Sequence, residues 1–151
     1  MADIEGDDGP NRLIGTENND KIRGRDGDDI LKGRGGNDEL RGDDGDDRLA
    51  GGKGDDRMRG DHGNDTLTGG AGNDRFIFNQ DGDTDTVTDF TQGDKLDMSN
   101  FGFDSFEEAM SHAEQVGDDV VFTNLHLDGE SVILKNVAID SLDAGDFILF
   151  G

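Results

Sequence analysis

A nine-residue unit repeats head to tail from Gly15 to Ile77, and it constrains this chain more than any other feature. Successive copies read GTENNDKIR, GRDGDDILK, GRGGNDELR, GDDGDDRLA, GGKGDDRMR, GDHGNDTLT and GGAGNDRFI, preceded by a degenerate GDDGPNRLI at Gly6. Glycine opens every copy. The sixth position is Asp20, Asp29, Asp38, Asp47, Asp56, Asp65 and Asp74, with Asn11 in the degenerate copy. The eighth is apolar throughout: Leu13, Ile22, Leu31, Leu40, Leu49, Met58, Leu67 and Phe76. A strict period of this length marks a stack of small coils, each a turn, a strand, a turn and a strand.

The chemistry of the unit explains its spacing. Its first six residues, rich in Gly, Asn and Asp, suit a tight turn that enters positive φ. The last three form a short strand whose central residue points inward. Two copies complete one coil, and coils stack about 4.8 Å apart. The sixth-position carboxylates of alternate copies therefore fall beside each other, with backbone carbonyls nearby. An all-oxygen site of that kind suits Ca²⁺ ahead of Mg²⁺, and the copies provide roughly five or six such sites.

One apolar side chain per copy buries too little surface to offset the ordering of a whole copy. The repeats are thus expected to be disordered without Ca²⁺ and folded with it. Composition alone would equally suit an acidic, Gly-rich disordered segment. Disorder does not place Asp at the same position of seven consecutive copies.

These copies resemble the RTX (repeats-in-toxin, hemolysin-type) β-roll of type I-secreted bacterial proteases, lipases, adhesins, toxins and alginate epimerases. The resemblance implies an all-β, right-handed parallel β-roll with a C-terminal β-rich cap containing one short helix. It also implies backbone ligands at the fourth position, here Asn18, Gly27, Gly36, Gly45, Gly54, Gly63 and Gly72. Second-position carbonyl ligands would come from Arg25, Arg34, Asp43, Gly52, Asp61 and Gly70. Two departures stand out. Asn18 replaces a fourth-position Gly but tolerates the left-handed region. The second Gly survives only at Gly52 and Gly70, so Arg25, Arg34 and Asp43 weaken turn geometry more than ligand count.

By this reading residues 1–5 are a polar leader, 6–78 the roll and 79–151 a capping region. The segments DGDTDTVTDF and TQGDKLDMSNF resemble the sequence that follows the last repeat in serralysin-like members, which implies that Asp85, Asp89 and Asp94 complete or extend the final calcium sites. Asp104 with Glu107 reads as a capping box for a helix carrying Phe106, Ala109, Met110 and Ala113, stopped at Gly117. Residues 119–125 and 131–137 read as strands joined through an Asp128-Gly129 turn. Residues 146–151, an acid before a hydrophobic cluster, resemble the uncleaved type I secretion signal; a plain final strand is the alternative.

A net charge of −23 repels nucleic acid and anionic membranes and suits a multi-site calcium protein. The repeat half carries 20 acidic and 12 basic residues, whereas residues 79–151 carry 17 and 2, so roughly six bound calcium ions would turn the roll slightly positive and leave the cap acidic. Without Cys there are neither disulfides nor thiolate zinc sites. No apolar run reaches the length of a membrane span, and MADIEGDDGP lacks the features of a Sec signal. Secretion is expected to be Sec-independent, through the type I apparatus.

Alternate copies place Lys21, Arg23, Arg41, Arg57, Arg59 and Arg75 on one outer sheet face. That basic ladder would suit an anionic polysaccharide such as alginate; charge balance against the acidic turns is the competing account. Neither H-E-x-x-H nor G-x-S-x-G occurs, and His62, His112 and His126 show no ligand spacing. No enzyme is expected. The leading expectation is a calcium-folded secretion module. The alternatives are a carbohydrate-binding module, or a C-terminal domain of a larger secreted hydrolase or epimerase.

Overall fold

The computed structural model describes residues 1–123, 125 and 129–150, so Asp128 of the expected hairpin turn, His126 and Gly151 lie outside it. Alternate copies deliver their strands to opposite sheets. One sheet takes β1 (Asp3–Glu5), β3 (Lys21–Asp26), β5 (Glu39–Asp44), β7 (Arg57–His62) and β9 (Arg75–Ile77). The other takes β2 (Arg12–Ile14), β4 (Ile30–Gly35), β6 (Arg48–Lys53) and β8 (Thr66–Ala71). All neighbours in this part pair in parallel, in the register Lys21↔Glu39↔Arg57↔Arg75 and Leu31↔Leu49↔Leu67. The result is a parallel β-roll, with the eighth-position residues in single file between the sheets. From Ile22 to Phe76 each of them is at most 2% exposed.

Four findings depart from the expectations. The central strands have six residues rather than three, because the next copy's first three residues stay in the ladder, as in Arg25↔Asp43 and Asp26↔Asp44. Residues 1–5 carry a strand rather than a leader: β1 pairs with β3 in the repeat register, Ile4 opposite Ile22. The helix α1 spans only Phe106–Met110, and its cap is shifted by one residue. Ser105 Oγ accepts from Glu108 N at 3.1 Å, and Glu108 Oε2 accepts from Asp104 N at 2.7 Å.

The fourth concerns Ala113, which was expected within that helix. It begins β12 (Ala113–Val116), which forms a hairpin with β13 (Asp119–Phe122) through Gly117 and Asp118. Gly117, at φ 65°, serves this tight turn rather than a helix stop. Both uses need the same left-handed backbone, so sequence alone does not separate them.

The cap continues the sheets without interruption. Strand β10 (Thr84–Val87) pairs with β8, and β11 (Lys95–Asp97) with β9, each offset by 20 residues instead of 18. Beyond β10 come β14 (Ser131–Leu134), β13 and β12; beyond β11 comes β15 (Phe147–Ile148). The single file then widens into a conventional core. Phe76, Phe78, Met98, Phe122 and Leu134 are fully enclosed, and Phe106 meets Phe147 edge-on with ring centroids 5.3 Å apart. This core closes one end of the stack, as a coil array requires.

Candidate metal centre

The turns on the two flanks of the roll stack the sixth-position carboxylates into two rows. On one flank the backbone N–H of Asp20 donates to Asp38 Oδ1 at 2.7 Å, Asp38 to Asp56 at 2.8 Å, Asp56 to Asp74 at 2.9 Å and Asp74 to Asp94 at 2.8 Å. On the other, Asn11 donates to Asp29 at 2.7 Å, Asp29 to Asp47 and Asp47 to Asp65 at 2.8 Å, and Asp65 to Asp85 at 3.1 Å. Asp85 and Asp94 thus take over the sixth-position role where the nine-residue pattern has ended. Asp89 does not. Its two oxygens accept from Gly69 N and Gly70 N at 2.8 and 2.9 Å, which closes a turn instead.

Each inner carboxylate therefore has one oxygen engaged and one facing the turn interior. Asp29, Asp38, Asp47, Asp56 and Asp65 all have a buried Oδ2 without a hydrogen-bond partner. A buried, unpartnered anionic oxygen is expensive to keep. Burial lifts Asp47 and Asp56 to about 7, Asp65 to about 9, Asp74 to about 6 and Asp85 to about 7; the accepted amides oppose the rise, and neighbouring carboxylates add to it. Asp29 and Asp38 are raised by burial in the same manner. Asp20, at the open end, is lowered by the backbone amides of Ala2 and Thr16. Protons or bound cations would neutralise such rows, and an all-oxygen donor set at recurring spacing fits Ca²⁺.

The glycines that open each copy make room for these carboxylates. A Cβ on Gly33 would overlap Asp38 Oδ2 and lie 2.6 Å from Gly51 O. At the second position the backbone is left-handed even without glycine: φ is 87° at Arg25, 81° at Arg34 and Asp43, and 75° at Asp61. Gly52 and Gly70 adopt the same region, as do the fourth-position Gly27, Gly36, Gly45, Gly54, Gly63 and Gly72. Asn18, the fourth-position departure, has no positive φ; its N–H donates to Thr16 Oγ1 at 3.2 Å.

A further pair of ladders went unread in the sequence. The fifth-position N–H of Asn37 donates to Asn19 Oδ1 at 2.9 Å, Asp55 to Asn37 at 3.0 Å and Asn73 to Asp55 at 2.9 Å. Opposite, Asp46 donates to Asp28 at 3.0 Å, Asn64 to Asp46 at 2.8 Å and Thr84 to Asn64 at 3.1 Å. These bonds run back to the preceding coil, whereas the sixth-position bonds run forward, so each coil is tied to both neighbours. The signal was present: the fifth position is Asn or Asp in all seven full copies.

The basic ladder is engaged with acids. Arg41 Nε lies 2.6 Å from Asp43 and 2.5 Å from Asp61, and Arg59 3.2 Å from Asp61. Arg23 pairs with Asp43, Arg75 with Asp97, and Lys21 lies 3.2 Å from Glu39. Arg57 lines a shallow hollow with Glu39, Arg41 and Arg59. Second-position acids thus interleave with ninth-position arginines across successive coils.

Comparison with known proteins agrees with this architecture. The family model for the RTX calcium-binding nonapeptide repeat matches residues 5–40 and 41–76. The chain is similar to the AlgE6R2 subunit of the Azotobacter vinelandii mannuronan C5-epimerase, with 27% identity, TM-score 0.56, and coverage of 97% of this chain and 91% of that one. The AlgE6R3 subunit of the same enzyme shares the fold at 24% identity and TM-score 0.58, over 95% of this chain and 80% of that one. A stretch of 67 residues is 40% identical to the endo-1,3-1,4-beta-glycanase ExsH of Rhizobium meliloti (strain 1021), covering 44% of this chain but only 14% of ExsH. RTX nonapeptide repeats bind calcium and act as structural modules, and residues 5–76 of this chain are an array of those repeats wound into a β-roll.

Proposed function

We propose that this roll is a calcium-operated folding module: unfolded where Ca²⁺ is scarce, folded and capped where it is plentiful. The five buried Oδ2 atoms without partners carry the reading, because each is a carboxylate oxygen that no protein group engages, in the place where a cation would bind. The ligands would be the sixth-position Asp20, Asp29, Asp38, Asp47, Asp56, Asp65 and Asp74, with second- and fourth-position carbonyls. Asp85 and Asp94 would extend the rows into the cap, and roughly five or six ions would occupy them. Far-UV circular dichroism from chelated protein tests this. A steep gain of β-structure with Ca²⁺ but not with Mg²⁺ is expected. A chain fully folded in chelator would refute it.

Such a switch suits export of an unfolded chain. Residues 146–151 would be read by a type I exporter before Phe147 and Ile148 join the sheet beside β11. Deleting those residues from an exported fusion should abolish its appearance in the medium while leaving calcium-induced folding intact.

A second reading, anionic-polysaccharide binding by the basic face, draws support from the similarity to epimerase subunits at 27% identity. The ion pairs of Arg23, Arg41, Arg59 and Arg75 weigh against it. It requires that Arg41→Gln, Arg57→Gln and Arg59→Gln together abolish retention on an alginate matrix without changing calcium affinity.

A further inference from the structure

Where the roll hands over to the cap, the turn at Gly63 uses a side-chain acceptor in place of a backbone one. At three fourth-position glycines the amide donates to a backbone carbonyl of the next coil: Gly27 to Asp44 O at 2.7 Å, Gly45 to His62 O at 2.9 Å and Gly54 to Ala71 O at 2.8 Å. At Gly63 the acceptor is instead the Asp83 carboxylate, at 2.8 Å. The connection from β9 to β10 is longer than a repeat turn, and it delivers Asp81 and Asp83 beside His62. One donor atom from each of His62, Asp81 and Asp83 lies within 4.8 Å of the other two.

The surroundings fix the two carboxylate-bearing residues without supplying a cation to balance them, while His62 is exposed. Asp83 is fixed by Gly63, and Asp81 N donates to Glu130 Oε2 at 3.2 Å. Glu130 is itself only 2% exposed, so that anchor is buried. Among the described residues no Lys or Arg forms an ion pair with Asp81 or Asp83, although Asp43, Asp61 and Asp97 on the outer face each have one. The imidazole separates this cluster from the calcium rows, whose donors are all oxygen. One nitrogen and two carboxylates match a borderline ion such as Zn²⁺ or Co²⁺ rather than a hard one.

We propose that His62, Asp81 and Asp83 form a transition-metal site of the Zn²⁺ class that clamps the last regular turn to the cap, separate from the calcium rows. A tetrahedral ion with bonds of about 2.0–2.1 Å holds its donors roughly 3.3 Å apart, which small side-chain rotations would reach from the present arrangement.

The test uses the full chain saturated with Ca²⁺ and titrates Zn²⁺, read by calorimetry and by the histidine ring resonances. One equivalent should bind in the presence of excess Ca²⁺, with the His62 ring perturbed. His62→Ala and Asp81→Asn should each weaken binding at least about tenfold while leaving the calcium-induced circular dichroism transition unchanged. Displacement of Zn²⁺ by Ca²⁺ would assign the cluster to the calcium rows and overturn the proposal. Zn²⁺ binding that survives both substitutions, or no binding, would overturn it too. Because the calcium transition is read separately, failure here leaves the folding-module reading untouched.

Discussion

Replacing Asp47 by Asn should have opposite effects with and without calcium. Asp47 is 1% exposed; its Oδ1 accepts from Asp29 N at 2.8 Å, and its Oδ2 has no partner. An Asn side chain keeps the first bond and removes the charge. In the metal-free fold burial raises this carboxyl to about 7, against roughly 3.9 in an unfolded chain. Ionising it in the fold at neutral pH therefore costs on the order of 2–4 kcal/mol, at 1.36 kcal/mol per unit, with the low end allowing for solvent near the turn. The Asp47→Asn substitution should relieve that cost, so in chelator the variant should be the more β-rich protein. With Ca²⁺ the sign reverses, because a charged ligand is lost. Loss of one site held at ten times its Kd removes about 1.4 kcal/mol of linkage, and a shared ligand would weaken two. The β-content by circular dichroism in chelator, and a urea titration in saturating Ca²⁺, measure the two signs. Equal destabilisation in the two conditions would refute the reasoning and make Asp47 a purely structural hydrogen-bond acceptor.

Three further outcomes follow from the same geometry. The metal-free roll should gain structure as pH falls: carboxyls raised to between about 6 and about 9 contribute stability that is fully present below about pH 4 and lost as pH rises through those values, whereas acid should release Ca²⁺ from the loaded form. Circular dichroism across pH with and without Ca²⁺ should give opposite slopes. Gly33→Ala should destabilise the loaded fold by at least about 1–3 kcal/mol, since its methyl would overlap Asp38 Oδ2 and approach Gly51 O to 2.6 Å; a tolerated substitution would mean that the turn can open. Arg34→Gly should stabilise it by about 1 kcal/mol, because Arg34 holds φ at 81°. Thermal melts in saturating Ca²⁺ would register the gain, and a lower melting temperature would contradict it.

The regular part of this protein was written in its sequence because every copy meets the same local environment. Gly, Asp and one apolar residue at fixed places in the unit led to alternating sheets, the single-file core of Ile22 through Phe76, and the two carboxylate rows. Only tertiary structure could decide the ends. Ala2 to Glu5 lack the repeat signature, yet β1 is held by register with β3. Gly117 had two equivalent uses, and the partner strand β13 selected the hairpin over the helix stop. The resemblance pointed to Asp85, Asp89 and Asp94 alike, and only the fold separates them: Asp85 and Asp94 stack in the rows at an offset of 20 residues, whereas Asp89 closes a turn. Pairing of the arginine ladder with Asp43 and Asp61 likewise depends on neighbouring coils. His62 is exposed, as its sequence context suggested, but only the fold brings Asp81 and Asp83 beside it. Repetition lets sequence predict a coil from its neighbours; where the repeat stops, long-range contacts choose among conformations that local chemistry leaves equal.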